Sequence, residues 1–319
     1  MKKPIVTILR YTVLASILIF GFWYFTSHFD TYARRANFTP GRIFLLIMLN
    51  LCTIACESVR LRMMIRKLGK DIGPILSWHM ITLFQAVNHI VLKAGTFSGG
   101  YYLSRRYNIS FNSYIAFVVT YVVVIVLASG ILGFFLSMAY LLAGVRTGPL
   151  IPLFFLAVIL GSAGMIAAAR IRLPLRRLPK PAAHFLESIR TIYSDTGMLA
   201  LFLGIECLYH LTTALRFMTA VSLFSGHSGL LDSIIVVSVG NFLRIATIVP
   251  GGIGIAEVAS AWTSGLLGDD AGLAGLSAGL DRLVYILLVM AFGGIGFLSI
   301  TNRREFHRPS ETACNASEL

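Results

Sequence analysis

Ile248-Val249-Pro250-Gly251-Gly252-Ile253-Gly254-Ile255-Ala256-Glu257 breaks an apolar stretch with one proline, three glycines and a carboxylate. Proline removes a backbone donor and stops a helix, and glycine permits tight turning. A helix restarting after Gly252 would aim its N-terminal N–H groups and partial positive charge into any cavity beyond the turn. Such an end is a ready anion site. About 150 residues earlier, Gly99-Gly100 stands ahead of Arg105 at the spacing that separates Gly251-Gly252 from Glu257. Leu61-Arg62-Met63-Met64 is echoed by Leu215-Arg216-Phe217-Met218, and Asn88 by Asn241. The pattern reads as one membrane unit written twice, and glycine-broken repeats mark many transporters.

Composition agrees with a membrane setting. The 319 residues have a mean hydropathy of +0.79; 56% are hydrophobic and 13% charged, about half the charged share of a soluble domain. Tyr11–Phe29, Ile43–Glu57, Tyr114–Tyr140, Leu150–Ala169, Leu199–Phe224 and Leu283–Ile300 approach or exceed the roughly 20 residues that cross a bilayer core. The expected fold is all-α: a polytopic bundle of about six full spans plus two re-entrant hairpins. The first stretch is too long for a secretion signal and reads as a span. Cys52, Cys56 and Cys207 read as small buried residues, with no metal-ligand spacing around them.

The net charge of +13 sits in short loops, which is the positive-inside pattern of a membrane protein and not a nucleic-acid surface. Basic clusters before span one, around Arg60–Lys70, around Arg170–Arg190 and at Arg303–Arg308 place both termini in the cytoplasm. Sidedness then demands an even number of crossings between Lys70 and Arg170, where three apolar segments lie. One of them, about 77–104, is therefore expected to enter and return, and about 231–268 to do the same from the other side. This gives a single membrane domain, 1–302, of two inverted repeats (about 1–145 and 146–302), followed by a polar tail, 303–319. The hairpin tips are expected near Gly99 and Gly251, close to the bilayer midplane.

The proline–glycine–glutamate stretch resembles the second signature of the lysylphosphatidylglycerol synthase transmembrane-region family, which is also described as flippase-like. Gly99-Gly100 to Arg105 is similar to its first signature, without the proline. Asp281-Arg282 resembles a charged pair that the family often carries, and Thr120-Tyr121 stands where the first half would have its own pair. The resemblance covers about Ile43 to Ser299. It implies a membrane module that handles an amphiphile: a phospholipid, polyprenyl-linked or hopanoid-type lipid. The family's bifunctional members add a soluble aminoacyl-transferase domain. With the chain ending at Leu319, the expectation is the membrane module alone, in a bacterial cytoplasmic membrane. Membrane lipids are the expected partners, with a lipid-modifying enzyme as another.

Ionisable residues at membrane depth are costly unless paired or hydrated, so they mark candidate sites. The set is Glu57, Lys93, Glu206, Arg216, Arg244, Glu257, Asp281 and Arg282, with His89 and His210. Guanidinium groups present a planar fork to phosphate oxygens. The candidate substrate-binding residues are therefore Gly99, Gly100, Arg105, Arg216, Arg244, Pro250, Gly251, Gly252, Gly254, Glu257, Asp281 and Arg282. Arg105 and Arg216 lead as headgroup ligands. Glu57 and Arg60 read as a helix-end pair, and the histidines as hydrogen-bonding to neighbouring helices. No nucleophile motif, zinc motif or nucleotide loop appears, so neither catalysis nor a cofactor is expected; the alternatives to a lipid carrier are a non-transporting partner of a lipid- or cell-envelope-modifying enzyme and a membrane lipid transferase with Glu257 as general base.

Overall fold

Proline at a first helical position, a left-handed lysine and a left-handed glycine set three of the boundaries in this bundle. The computed structural model describes residues 34–144, 149–170, 180–246 and 254–302. In chain order its helices are α1 (Pro40–Lys67), α2 (Pro74–Ile90), α3 (Ala94–Tyr107), α4 (Phe111–Leu142), α5 (Leu150–Arg170), α6 (Lys180–Ser194), α7 (Thr196–Ser222), α8 (Leu230–Ala246), α9 (Ile255–Leu267) and α10 (Ala271–Asn302). No strand occurs among the described residues. Five helices, α1, α4, α5, α7 and α10, are long and apolar enough to cross a bilayer. The expected first span and the tail lie outside the described residues.

The lengths repeat. Helices α1 to α4 have 28, 17, 14 and 32 residues. Helices α7 to α10 have 27, 17, 13 and 32. Helices α5 and α6 lie between the two sets. The packing is reciprocal: α1 lies against α7, α2 against α10, and α8 against α4. The first helix of each short pair packs on the last long helix of the other set, while α3 and α9 stay on the long helix of their own.

Central to both sets is the α1–α7 pair, tied at each end. Lys67 pairs with Asp195, whose carboxylate also caps α7 by accepting the Met198 N–H at 3.0 Å. At the other end Arg42 donates to the Ser222 carbonyl at 2.6 Å, and the Asn37 N–H to the Leu223 carbonyl at 2.7 Å. The cap and the basic last turn of α1 complement the helix dipoles.

Helices α2 and α3 fold back on each other. At about 25 and 21 Å by helical rise, each is shorter than the roughly 30 Å hydrocarbon core. Their turn is Val91–Lys93, with Lys93 in the left-handed region at φ 55°. Asn88 closes it, accepting the Thr96 N–H at 3.1 Å and donating to the Thr96 hydroxyl at 3.2 Å. Gly99 and Gly100 are therefore not at the tip as expected. They lie inside α3, where a missing Cβ admits an aromatic ring. A Cβ on Gly99 would sit 2.6 Å from the Phe84 ring, and one on Gly100 2.6 Å from the Tyr114 ring. Helices α8 and α9 form the second short pair. The link holding Pro250, Gly251 and Gly252 lies outside the described residues, and Gly254, at φ 86°, opens α9.

Gly95 meets the Phe84 backbone carbonyl, so a methyl there must separate α2 from α3. Gly161 in α5 has open space around its Cβ position. Gly95→Ala is expected to destabilise the protein by about 1–3 kcal/mol despite its gain in helix propensity. Gly161→Ala should not. Thermal unfolding of the two purified variants in detergent checks this.

Candidate functional site

Among the described residues two arginines are buried, one in each central helix. Arg216 of α7 is 5% exposed and Arg60 of α1 is 8%. Arg216 grips Asp281 of α10 with both arms of its fork, Nε to Oδ1 at 2.9 Å and Nη2 to Oδ2 at 2.7 Å. Its remaining nitrogen donates to the Thr53 hydroxyl at 3.2 Å. Asn50 of α1 donates to the same Asp281 at 3.2 Å. Arg60 donates to Glu206 of α7 and lies 3.7 Å from Glu57. Its guanidinium is sandwiched by Tyr121 of α4 and Tyr209 of α7, with ring centres at 4.5 and 4.8 Å.

The two sites are joined. Tyr285 of α10 donates to Glu57 at 3.0 Å, and its ring lies 5.3 Å from the Arg216 guanidinium. Gln85 of α2 also donates to Glu57, at 3.2 Å. A continuous polar ladder thus runs Glu206, Arg60, Glu57, Tyr285, Arg216, Asp281. Helix rise puts its two arginine sites roughly 15 Å apart along the α1–α7 axis.

Beside Arg216 lies a cavity of about 100 Å³ lined by Asn241, Glu257, Asp281 and Arg282 among others. Arg282 donates to both oxygens of Glu257, at 3.0 and 3.2 Å. Ala256 and Glu257, in the first turn of α9, form part of the wall. The N-terminal end of that helix therefore borders the same space, as a helix restarting at Gly254 requires. A second cavity, of about 140 Å³, lies beside Arg60 in the first set of helices, against Glu57, Asn88, Thr96, Tyr121 and Phe84.

The structure thus brings together Arg216, Glu257, Asp281 and Arg282, with Gly254 at the end of the helix carrying Glu257. Arg105 is elsewhere: it is exposed near the C-terminal end of α3, against Tyr101, with Nε 3.3 Å from its hydroxyl. Gly99 and Gly100 are packing positions. Arg244 lies near the end of α8, and its side chain is outside the described residues, as are Pro250, Gly251 and Gly252.

Sequence reading missed Arg60. The Leu-Arg echo aligned Arg62 with Arg216, but Arg62 turns toward Asp71 at 3.4 Å near the surface. A shift of about 156 residues carries the start of α1 onto that of α7, and it superposes Arg60 on Arg216. Asn50, Tyr209 and Tyr285 were also missed, since only the helix crossing gives them charged neighbours; Tyr121 stood out only as the replacement of a charged pair. His210 meets Ser129 of α4 at 2.7 Å and Asn241 of α8 at 3.3 Å, the inter-helix role expected of it.

A family model, the lysylphosphatidylglycerol synthase TM region, matches residues 8–293. The chain belongs to that family. Comparison with curated proteins finds no match. The stretch matched to the lysylphosphatidylglycerol synthase TM region contains both arginine sites and both cavities.

Breaking a buried ion pair costs more than removing it whole, because the surviving charge is left without a partner. Asp281→Asn is expected to lower stability by about 3–5 kcal/mol. The double variant Arg216→Met/Asp281→Leu should recover most of that loss. Thermal unfolding in detergent, compared across the parent and the two variants, is the measurement.

Proposed function

We propose that this protein carries a phosphate-bearing amphiphile between the two leaflets of a bacterial cytoplasmic membrane, with both its termini in the cytoplasm. The polar ladder supports this best: six linked polar side chains inside an apolar bundle, leading into a cavity that Arg216, Arg282 and a helix N-terminal end all border. A headgroup entering sideways exchanges with the internal carboxylates. Its phosphate takes the Arg216 fork from Asp281, and the helix end adds aligned N–H groups and partial positive charge. The acyl or prenyl tails stay in lipid, while the ladder offers the headgroup a continuous set of partners. The protein makes and breaks no covalent bond in this scheme and needs no cofactor.

Matched helix lengths and reciprocal packing support two units of opposite orientation, with α2–α3 and α8–α9 as re-entrant hairpins. The first helix of each short pair crosses to the other set while the second stays, so the moving bodies are α10 with α2 and α9, and α4 with α8 and α3. They do not follow the division into sequence halves. Alternating access then comes from one such body tilting on the α1–α7 pair.

Two tests follow. In a cysteine-free background, single cysteines at positions 70 and 105 should label from the same side of the membrane. Labelling from opposite sides removes the first hairpin. In proteoliposomes, the folded Arg216→Met/Asp281→Leu variant should slow transbilayer movement of labelled phospholipid or polyprenyl phosphate at least about tenfold, the rate equivalent of one lost charge-assisted hydrogen bond. Arg105→Ala should behave like the parent. A parent protein that moves none of these lipids contradicts the carrier and favours a partner of a lipid-modifying enzyme.

A further inference from the structure

The two arginine sites occupy equivalent positions but carry different charge. The shift of about 156 residues that superposes Arg60 on Arg216 also superposes Asn50 on Glu206, and one of about 160 brings Tyr121 onto Asp281. Around Arg216 stand one carboxylate, Asp281, and one neutral amide, Asn50. The site is balanced. Around Arg60 stand two carboxylates, Glu206 and Glu57, and a neutral phenol, Tyr121. That site carries one negative charge too many.

The excess charge is deep in the protein. Glu206 is 0% exposed and Glu57 is buried. Glu57 is well supplied, with Gln85, Tyr285 and Arg60 around it. Glu206 meets Arg60 through one oxygen, and Tyr121 faces its carboxylate. Its Oε2 is buried with no hydrogen bond inside 3.5 Å. The other groups packed around it do not restore balance. Cys56, Tyr209 and Cys207 bring no positive charge, and His210 turns its Nε2 toward Ser129 and Asn241 and its Nδ1 toward the Glu206 carbonyl. A lone excess carboxylate in such a place is strongly disfavoured, and binding a proton removes the excess.

We infer that the Arg60 site holds one exchangeable proton, carried on Glu206, and that lipid movement is coupled to its release and rebinding. Tyr285 is the mechanical link: it touches Glu57 on one side and Arg216 on the other. When α10 shifts to free Asp281 from Arg216, Tyr285 leaves Glu57, and the loss of that donor raises the affinity of the Arg60 site for its proton. The coupling rests on the carrier reading; the proton site does not.

Infrared difference spectroscopy of the purified protein through a pH titration tests the proton site directly. The parent should show a protonated-carboxyl carbonyl band that shifts in heavy water and disappears as pH rises. Glu206→Gln and Glu57→Gln should each abolish it, since either change leaves one carboxylate for one guanidinium. Asn50→Glu should create a second band, by giving Arg216 the same excess. No band in the parent, or a band unchanged in both glutamine variants, overturns the inference. So does a site that responds to sodium at fixed pH and not to pH. In proteoliposomes, a pH gradient should change the parent's rate of lipid movement and leave that of folded Glu206→Gln unchanged. Equal gradient response in the two proteins overturns the coupling. A parent that moves no lipid contradicts the carrier reading, while the infrared result still decides the proton site.

Discussion

A guanidinium group buried in a membrane bundle needs a carboxylate, and this fold is arranged around meeting that need. Neither α1 nor α7 holds its charges alone. Arg60 of α1 reaches Glu206 of α7, and Arg216 of α7 reaches Thr53 of α1 and Asp281 of α10. Each pairing is worth little as net stability, because desolvation offsets attraction. Its force lies in the penalty for misassembly. If α7 slid by one turn against α1 and α10, Arg60 would lose Glu206 and Arg216 would lose Asp281 together. The ion pairs thus fix the register of helices whose apolar surfaces, bathed in lipid, discriminate poorly among registers.

Reciprocity extends this register to the periphery. Small side chains let the short helices approach closely. Gly293 and Gly296 of α10 lie against the α2 backbone at Thr82 and His79, where a Cβ would come within 3.0 and 2.6 Å. Close backbone approach of this kind replaces the hydrophobic driving force that a bilayer does not supply. The two sets are similar in frame and different in lining. Phe84 in the first cavity stands where Gly240 stands in the second, by the same shift of about 156 residues. Five Phe and Tyr rings and one ion pair line the first cavity, and three such rings and two ion pairs line the second.

Much of this was legible in the sequence. Apolar length gave the long helices to within a few residues at most ends, and loop charge pointed to the two short pairs. Asp281-Arg282 and Glu257 stood out because charge inside an apolar run has few innocent explanations. The register of the repeat was harder. A Leu-Arg dipeptide is short, and its echo at Arg62 lay two residues from Arg60, the residue that matching helix starts align with Arg216, enough to turn a helix by more than half a revolution. Arg60 and Glu57 looked like a local pair because their spacing allows one, and only the crossing of α7 brings Glu206 to them. The glycine pair at Gly99-Gly100 misled for a related reason. Sequence cannot distinguish a glycine that turns the chain from one that admits a ring, since both need only the absence of a Cβ. The turn falls instead at Lys93, whose left-handed backbone no composition rule would select.

Helix α10 is the element in which these lines meet. Within about one turn it presents Asp281 to Arg216, Arg282 to Glu257, and Tyr285 to Glu57. The first contact belongs to the central pair, the second to the α8–α9 hairpin and the third to the first set of helices. A rigid helix cannot release one of these without straining the other two, because all three side chains rotate with the same axis. Its longest contacts are with α2 and α9, so both short pairs pack against it. In the proposed carrier, a headgroup that competes for Arg216 therefore acts on both cavities at once. Distance is no obstacle to that coupling, since the connection is one continuous helix with a polar contact at each station and not a diffuse path through soft packing.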